Sequence, residues 1–539
     1  MTEEGKIFLK KAFADAPSKT DDLCMHSANF GSAREPEELL RALCKQEFND
    51  LGNSQRLILR YGDRLIYVPE SGWHAWTGKC WSKEKGEQML QIYAQETIKN
   101  MIEEIDFAAA TARDEGKAHD KIKELRKSYF KFYRASGNSA RLTAIGVEAR
   151  PRLTVPSENL DTHLYLFNLQ NGILDLKAED TGEETFDGIT LLPHEPRHYI
   201  TKLANVDYDP QATAPTFQKF IHEILPDDDV RLFMQRFFGY CLSGSNEEQV
   251  MVMLWGEGSN GKSTLVELMD YIFGTYALVT PVDSLLHTHN KGQGNEATPA
   301  LARLVAARLV SAAEPDVGDR LAEGAIKNIT GTEKMTARHL RKDFFEFVPQ
   351  FKVCLSCNNK PYVRGQDDGI WRRLLLVPFE QSFVDAERLD QNPGALPKVK
   401  NLDRKLRAET SGIFNWILDG YRMWQESGLA VPEKIRAATE EYREESNPVR
   451  QFINAWCKKN ESACIRATRL YEAYGLWCKE NAAEPIKQRA FGKHMTAMKY
   501  ERYTYQVVFY KGIELTLQAE ERLQAEETKS NRSYGNEDD

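Results

Sequence analysis

The strongest chemical signal in this 539-residue chain is a glycine-rich segment that ends in a lysine and a serine. The segment fits the pattern G-x-x-x-x-G-K-S, in which backbone N–H groups turn inward around phosphate oxygens. The lysine supplies charge for the β- and γ-phosphates of a nucleotide, and the serine hydroxyl suits Mg²⁺. The pattern predicts a site for ATP and Mg²⁺ formed by Gly256, Glu257, Gly258, Ser259, Asn260, Gly261, Lys262, Ser263 and Thr264.

A site that hydrolyses ATP also needs carboxylates to hold the metal and orient the attacking water. The next apolar stretch that ends in an acid is 307–314, and it ends at Glu314. This end lies beside the phosphate loop if the two strands are neighbours in a parallel sheet. We therefore predict that Glu314 polarises the water, and that Asp316 and Glu314 support the metal together with Ser263.

Further polar residues flank the next apolar segments. Asn358 follows the predicted strand 350–357 and could bond the γ-phosphate or the attacking water, although a lone amide is more often a turn residue. Arg372 and Arg373 precede another apolar run and suit the stabilisation of transition-state charge, in the same subunit or in a neighbour. A surface salt bridge is the alternative role for these arginines.

The elements that must position these residues indicate an α/β fold. Gln249–Trp255 is a short apolar run that predicts a buried strand, and Thr264–Phe273 predicts the helix after the loop. A strand, a glycine-rich loop and a helix in this order place the helix N-terminus against the phosphates.

The order of the motifs resembles that of superfamily 3 helicases, and more narrowly the phage/plasmid primase-helicase family that includes the poxvirus primase-helicase. The motifs that carry this resemblance are Gly256–Ser263, Leu309–Glu314, Thr330–Pro349, Cys357–Pro361 and Gly369–Phe379. The similarity covers residues 160–380 well and the stretch 49–63 more weakly.

The resemblance implies an AAA+-type P-loop ATPase that forms a ring, usually a homo-hexamer, and moves 3′-to-5′ along single-stranded DNA. By position it implies that Glu314 is the Walker B acid and that Asn358 is the sensor. Arg373 is the first candidate, and Arg372 the second, for the arginine finger that reaches a neighbour's ATP.

The family also has a β-hairpin that points into the ring channel, which corresponds here to Met335–Phe347. Its Lys and Arg residues suit the phosphate backbone of a single strand, although the residues alone are equally typical of a solvated turn. The DNA-binding residues predicted here are Lys334, Arg338, Arg341 and Lys342.

Two features depart from the family. Ala313 stands before Glu314, where relatives often have a second acid, and residues 1–160 contain no Asp-x-Asp pair and no zinc-ligand spacing. The second departure argues against primer synthesis by this chain, so a separate primase or other replisome proteins are the expected partners.

Basic residues concentrate in two regions of a chain whose formal net charge is −9. Residues 117–152 carry ten Lys or Arg against three acids, and residues 450–514 carry twelve against six. The second region resembles a winged helix, with Lys487, Arg489 and Lys493 on the helix that would enter the DNA major groove. Docking of another protein is the alternative. The acidic tail after Leu517 is predicted to be disordered.

At the N-terminal end, short elements alternate. Arg56–Tyr61 and Arg64–Val68 flank Gly62-Asp63, which predicts a β-hairpin.

Composition is that of a globular protein, and no apolar run reaches the ~20 residues of a membrane span. The start of the chain lacks an apolar signal core, and the nine cysteines are an odd number. We therefore expect no membrane partner and a cytoplasmic location in a bacterial host cell.

We interpret the chain as an ATP-dependent helicase for phage, prophage or mobile-element replication, acting on single-stranded and forked DNA. The alternatives are a replication initiator without processive unwinding, a P-loop motor that is not a helicase, and a full primase-helicase.

The predicted division has an ATPase core, preceded by an α+β region and a strand and helix region, and followed by a helical extension, a winged-helix-like domain and an acidic tail. In chain order these are residues 1–155, 156–245, 246–380, 381–447, 448–515 and 516–539, with the core at 246–380.

Overall fold

The computed structural model describes residues 36–177, 189–281, 299–313, 320–338, 344–363, 368–481 and 485–534. The chain forms two compact units, residues 1–203 and 204–539, called here the N-terminal and C-terminal units. Helices and parallel strands are both present, so the mixed α/β class predicted from the sequence is confirmed.

The N-terminal unit combines helices with two antiparallel three-stranded sheets, β1-β2-β3 and β4-β5-β6. Its helices are α1 (Pro36–Cys44), α2 (Asp50–Tyr61), α3 (Gly86–Lys99), α4 (Met101–Asp114), α5 (His119–Ser136) and α6 (Ser139–Ala149). Its strands are β1 (Leu65–Val68), β2 (Gly72–Trp76), β3 (Trp81–Ser82), β4 (Leu166–Leu169), β5 (Gly172–Asp175) and β6 (Thr190–Leu192).

The hairpin predicted around Gly62 is wrong, because Arg56 lies in helix α2 and β1 pairs with β2 instead. Arg56 is fully buried, and its Nε donates to the Glu104 carboxylate at 2.8 Å. Asn49 caps α2 by accepting a hydrogen bond from the Gly52 N–H. Arg56 and Arg60 are four residues apart, as on one face of a helix, and both pair with Glu104.

The centre of the C-terminal unit is a five-stranded parallel sheet in the order β13-β7-β12-β9-β8. Its strands are β7 (Met251–Trp255), β8 (Ala277–Thr280), β9 (Leu309–Ala313), β12 (Lys352–Cys357) and β13 (Leu374–Pro378). Burial on both faces explains why β7 and β13 are continuous apolar runs rather than alternating ones. A separate antiparallel pair consists of β10 (Met335–Arg338) and β11 (Phe344–Phe347).

Helices and one short strand pair surround this sheet. They are α7 (Pro215–Ile224), α8 (Asp228–Tyr240), α9 (Lys262–Phe273), α10 (Pro299–Ala302), α11 (Glu323–Ile329), α12 (Asp368–Trp371), β14 (Phe383–Val384), β15 (Leu396–Pro397), α13 (Leu402–Arg407), α14 (Thr410–Ser427) and α15 (Glu433–Glu445).

The end of the C-terminal unit is a small helical cluster against an antiparallel sheet in the order β16-β18-β17. Its elements are α16 (Pro448–Trp456), β16 (Cys457–Arg466), α17 (Ala467–Glu480), α18 (Gln488–Ala497), β17 (Arg502–Tyr505), β18 (Val507–Leu515) and α19 (Leu517–Tyr534).

The prediction of a disordered tail is wrong for residues 517–534, which form α19. Ala519 and Leu523 are buried in the core of this region, at 1% and 4% exposure. Glu520 and Glu527 pair with Arg469 on α17. The acids that suggested disorder therefore anchor the helix. In the part of the chain that the structure describes, no helix is long and apolar enough to cross a membrane.

Candidate nucleotide-binding site

The glycine-rich loop joins the end of β7 to the start of α9 at the carboxyl edge of the parallel sheet. Gly258 and Gly261 have positive φ angles of 102° and 85°, and Ser259 has a φ of 47°. These left-handed residues turn the backbone sharply before the helix begins, as an anion-binding loop requires.

Gly256 must be a glycine because the loop folds tightly against its Cα. A Cβ at this position would lie 2.1 Å from the Asn260 Nδ2 atom and 2.4 Å from the Phe379 carbonyl oxygen. Asn260 is buried, and its amide donates to that same carbonyl at 3.3 Å. The loop is therefore fixed to the chain segment that follows β13.

The Lys262 side chain is buried, at 4% exposure, and its ammonium group donates hydrogen bonds to three acceptors among the described residues. The acceptors are the Gly256 carbonyl at 2.6 Å, the Asn260 Oδ1 at 3.0 Å and the Asn358 Oδ1 at 3.1 Å. Asn358 directly follows β12, the neighbour of β7 in the sheet. Two predicted catalytic residues, 96 positions apart in the sequence, thus meet at one point.

Three other predicted residues of the loop are exposed to solvent. Ser263 lies in the first turn of α9 and is exposed, as are Glu257 and Ser259. The Ser263 side chain is thus accessible from solvent beside the loop. Glu314 and Asp316 lie outside the described residues; the preceding strand β9 runs parallel to β12 and ends at Ala313.

A hydrogen bond connects the helix of the phosphate loop to β9, the strand that leads to Glu314. The Ser311 hydroxyl donates to the Asp270 carboxylate at 2.8 Å. Burial raises the pKa of Asp270 to about 6, an effect opposed by the Ser311 bond and reinforced by Glu267. The contact fixes the relative position of α9 and β9.

Arg372 and Arg373 lie at the opposite, amino edge of the sheet. The Arg373 carbonyl accepts from Met251 N–H at the start of β7, whereas the phosphate loop follows the end of β7. Five residues of strand span roughly 16 Å, so neither guanidinium can reach the phosphate loop of its own chain.

The two arginines differ in how they are held. Arg373 donates to the Thr330 hydroxyl at 2.9 Å and to the Gly369 carbonyl at 3.2 Å. Arg372 is exposed and has a 3.5 Å contact with Gln249. This geometry favours Arg372 as the projecting side chain and Arg373 as an internal anchor, the reverse of the order inferred from the motifs.

A cavity of about 720 Å³ opens beside the phosphate loop. Ser259, Gly261 and Thr264 line one side of it, and Phe220 and Phe383 are among the apolar residues of the other. The Phe383 N–H donates to the Ser259 carbonyl at 2.8 Å, which ties β14 to the loop. Sequence reasoning missed this cavity, because its walls come from α7, β14 and α13, which carry no nucleotide motif.

The predicted DNA-binding hairpin corresponds to the antiparallel pair β10 and β11, in which Arg338 faces Phe344. The Arg338 guanidinium lies 5.0 Å from the centre of the Phe344 ring, and Lys334 pairs with Glu346 at 3.6 Å. Arg341 and Lys342 lie outside the described residues.

Two of the predicted DNA-binding residues near the C-terminus, Arg489 and Lys493, lie four residues apart on the solvent side of α18, and Lys487 directly precedes this helix. Lys487, Arg489 and Lys493 are all exposed, whereas Phe491 and Met495 on the other side are buried. This helix follows α17 and precedes the β17–β18 hairpin, at whose turn Tyr505 is 73% exposed.

Three family models match successive parts of the chain. The model described as D5 N terminal like matches residues 54–226, a family of unknown function matches 254–373, and the model described as Poxvirus D5 protein-like matches 444–512. The predicted resemblance to the poxvirus primase-helicase family is confirmed. D5-like sequence thus lies on both sides of the phosphate loop.

Viral proteins are among the relatives of this chain. The putative helicase of Acanthamoeba polyphaga mimivirus is 29% identical over 432 residues, which cover 74% of this chain and 43% of that protein. The putative helicase of Frog virus 3 is 25% identical over 64% of this chain and 35% of that protein. The putative primase of African swine fever virus is 21% identical over 60% and 34%, respectively.

The chain spans less than half the length of these relatives. They come from viruses of eukaryotes, and the bacterial host stays a prediction. Among solved structures, the C-terminal region of NrS-1 has a TM-score of 0.35 and 13% identity over 56% of this chain and 65% of that chain.

Proposed function

We propose that this chain is an ATP-dependent DNA helicase of superfamily 3 that acts as a ring in the replication of viral or mobile-element DNA. The observation that carries the proposal is the meeting of the Lys262 ammonium and the Asn358 amide at the phosphate loop, beside an open cavity. Homologues named helicase or primase support the replication role.

The chemistry proposed for the site follows from its donors. Lys262 exchanges its internal acceptors for the β- and γ-phosphates, and the Asn358 amide then bonds the γ-phosphate or the attacking water. Ser263, with Glu314 and Asp316, would hold Mg²⁺, whose charge would offset that of the phosphates. Glu314 orients the water, and the aromatic side chains of the cavity pack against the base.

A neighbouring chain must complete this site if an arginine takes part. Arg372 and Arg373 are at the far edge of their own sheet, so either one can stabilise transition-state charge only at the ATP of another subunit. A closed ring, such as a homo-hexamer, supplies this contact to every subunit.

The site drives strand movement in this proposal through the β10–β11 hairpin, which leads directly into β12 and Asn358. A change at the γ-phosphate sensed by Asn358 would shift β12 and the hairpin joined to it. Lys334 and Arg338, together with Arg341 and Lys342, would then carry the phosphate backbone of the strand.

The decisive experiment measures ATP hydrolysis and forked-duplex unwinding for the wild type, Lys262→Ala and the exposed control Lys83→Ala. We expect hydrolysis that single-stranded DNA stimulates, unwinding in the wild type and control, and loss of both activities in Lys262→Ala. Hydrolysis indifferent to DNA, with no strand separation by the wild type, would refute the helicase proposal and favour another P-loop motor.

A replication initiator is the second candidate, favoured by the exposed bases on α18. Arg489 and Lys493 on one side of α18, with Lys487 just before the helix and a β-hairpin after it, support the proposal of a winged helix that reads a DNA groove. An initiator would bind one duplex sequence tightly, lose that binding in Lys487→Ala/Arg489→Ala, and show no unwinding. Primer synthesis from ribonucleotides would support the third possibility, a full primase-helicase.

A further inference from the structure

Helix α5 of the N-terminal unit presents a row of positive side chains that the proposed ATPase and hairpin do not use. Lys123, Lys127 and Arg134 recur at helical spacing on one face, with Lys131 beside them and Phe130 among them. All four basic side chains are exposed, and the Phe130 side chain is 41% exposed. This group of five residues is called here the basic stripe.

The four basic side chains of the basic stripe outnumber the two acids on the same side of α5, Asp120 and Glu124. None of its four basic side chains forms an ion pair with a described residue, whereas Arg126 on the same helix pairs with Asp106. Lys123 and Lys127, and Lys127 and Lys131, are like charges four residues apart, an arrangement unfavourable for a helix. The repulsion between these like charges destabilises the helix locally. Such a concentration of positive charge, on a chain of net charge −9, fits an anionic partner.

The opposite side of α5 holds the stripe in place. Tyr129 and Phe132 are buried, and the ring of Phe132 stacks on that of Phe48 at a centroid distance of 5.0 Å. The helix is therefore packed into its unit. Basic residues spaced four apart in the sequence are about 6 Å apart along a helix axis, so the stripe offers a nearly linear row of charges.

We propose that the basic stripe binds the backbone of single-stranded DNA and that Phe130 stacks on one of its bases. Lysine and arginine in a row fit successive phosphates, and an exposed aromatic ring among them offers a stacking surface for an unpaired base. An acidic protein would use the charges but not this ring position. The inference rests on the proposed function only in taking single-stranded DNA as the substrate.

The test measures the affinity of the full chain for a fluorescent oligo-dT strand without nucleotide, over a range of salt concentrations. Each lost phosphate contact reduces the salt slope by about 0.7 for a single strand, so we expect Lys127→Gln/Lys131→Gln to reduce it by about 1.4. The matched control Lys83→Gln/Lys99→Gln removes two exposed lysines from the same unit and should leave the slope unchanged.

Phe130→Ala separates stacking from charge. Loss of one stacked base weakens binding by roughly 5- to 150-fold, and the salt slope should stay at the wild-type value. DNA-independent ATP hydrolysis should be unchanged in all these variants, which also shows that they fold.

The possible failures can be told apart. A wild-type chain that binds no oligo-dT overturns the proposed function, and this inference with it. Binding by the wild type with an unchanged slope in Lys127→Gln/Lys131→Gln overturns the inference alone. A loss of affinity equal to that of the control pair would also overturn it, because the effect would be one of net charge.

Discussion

At the scale of single residues, the contact between Asn358 and Lys262 makes a kinetic prediction. Asn358→Ala removes a hydrogen bond to a charged group, worth about 1.5–3 kcal/mol. If that bond passes to the γ-phosphate or water in the transition state, kcat should fall by roughly 10- to 100-fold with little change in KM. Steady-state ATP hydrolysis checks this. A rise in KM with unchanged kcat would assign Asn358 to binding alone.

Asp270 predicts a pH dependence of stability. Its folded-state pKa of about 6 lies above the ordinary value of 3.8. The folded chain therefore holds the proton more tightly, and the free energy of unfolding falls as pH rises between about 4 and 6. Two pKa units correspond to a cost of about 3 kcal/mol at neutral pH.

Asp270→Asn should remove this cost while the amide oxygen still accepts from Ser311. Denaturant unfolding should show a variant more stable than wild type at pH 7.5, with the difference shrinking towards pH 4.5. Glu426→Gln, an exposed acid on α14, is the control and should show no such trend. A difference between Asp270→Asn and wild type that is constant over this pH range would contradict the interpretation.

At the scale of elements, the strand, loop and helix around Lys262 were predictable because their signals are local. The apolar run of β7, the glycines and the amphipathic α9 are contiguous in the sequence. Arg56 shows the limit: its assignment to a strand failed because its partner Glu104 is 48 residues away. The cavity beside the loop was missed for the same reason, since no local pattern joins Phe220 to Phe383.

Helix α19 was not predicted, because its acidic sequence suggested disorder. Its packing against the rest of its region can be tested. Leu523 is buried at 4% exposure, whereas Leu517 on the same helix is 73% exposed. Leu523→Ala should lower the free energy of unfolding by about 2 kcal/mol or more. Leu517→Ala, the matched control, should change it by less than about 0.5 kcal/mol. Equal effects of the two substitutions, measured by denaturant unfolding, would show that α19 does not pack as described.

At the scale of the whole molecule, the positions of the arginines connect activity to assembly. Arg372 and Arg373 lie at the amino edge of the sheet, and Lys262 lies at the carboxyl edge. If an arginine of one subunit acts at the ATP of its neighbour, two chains that are inactive for different reasons can form an active site together. One chain can supply the lysine and its neighbour the arginine.

Mixing Lys262→Ala chains with Arg372→Ala chains tests this complementarity. Each variant alone should be inactive, whereas random assembly of equal amounts should recover about a quarter of the wild-type interfaces in a cyclic ring. ATP hydrolysis measured after co-assembly should therefore exceed the sum of the separate variants. The same mixture made with Arg373→Ala tells which guanidinium is the finger and which holds Thr330. If neither mixture recovers activity although the subunits co-assemble, the arginines do not complete the site of a neighbour, and the ATP site must be complete within one chain.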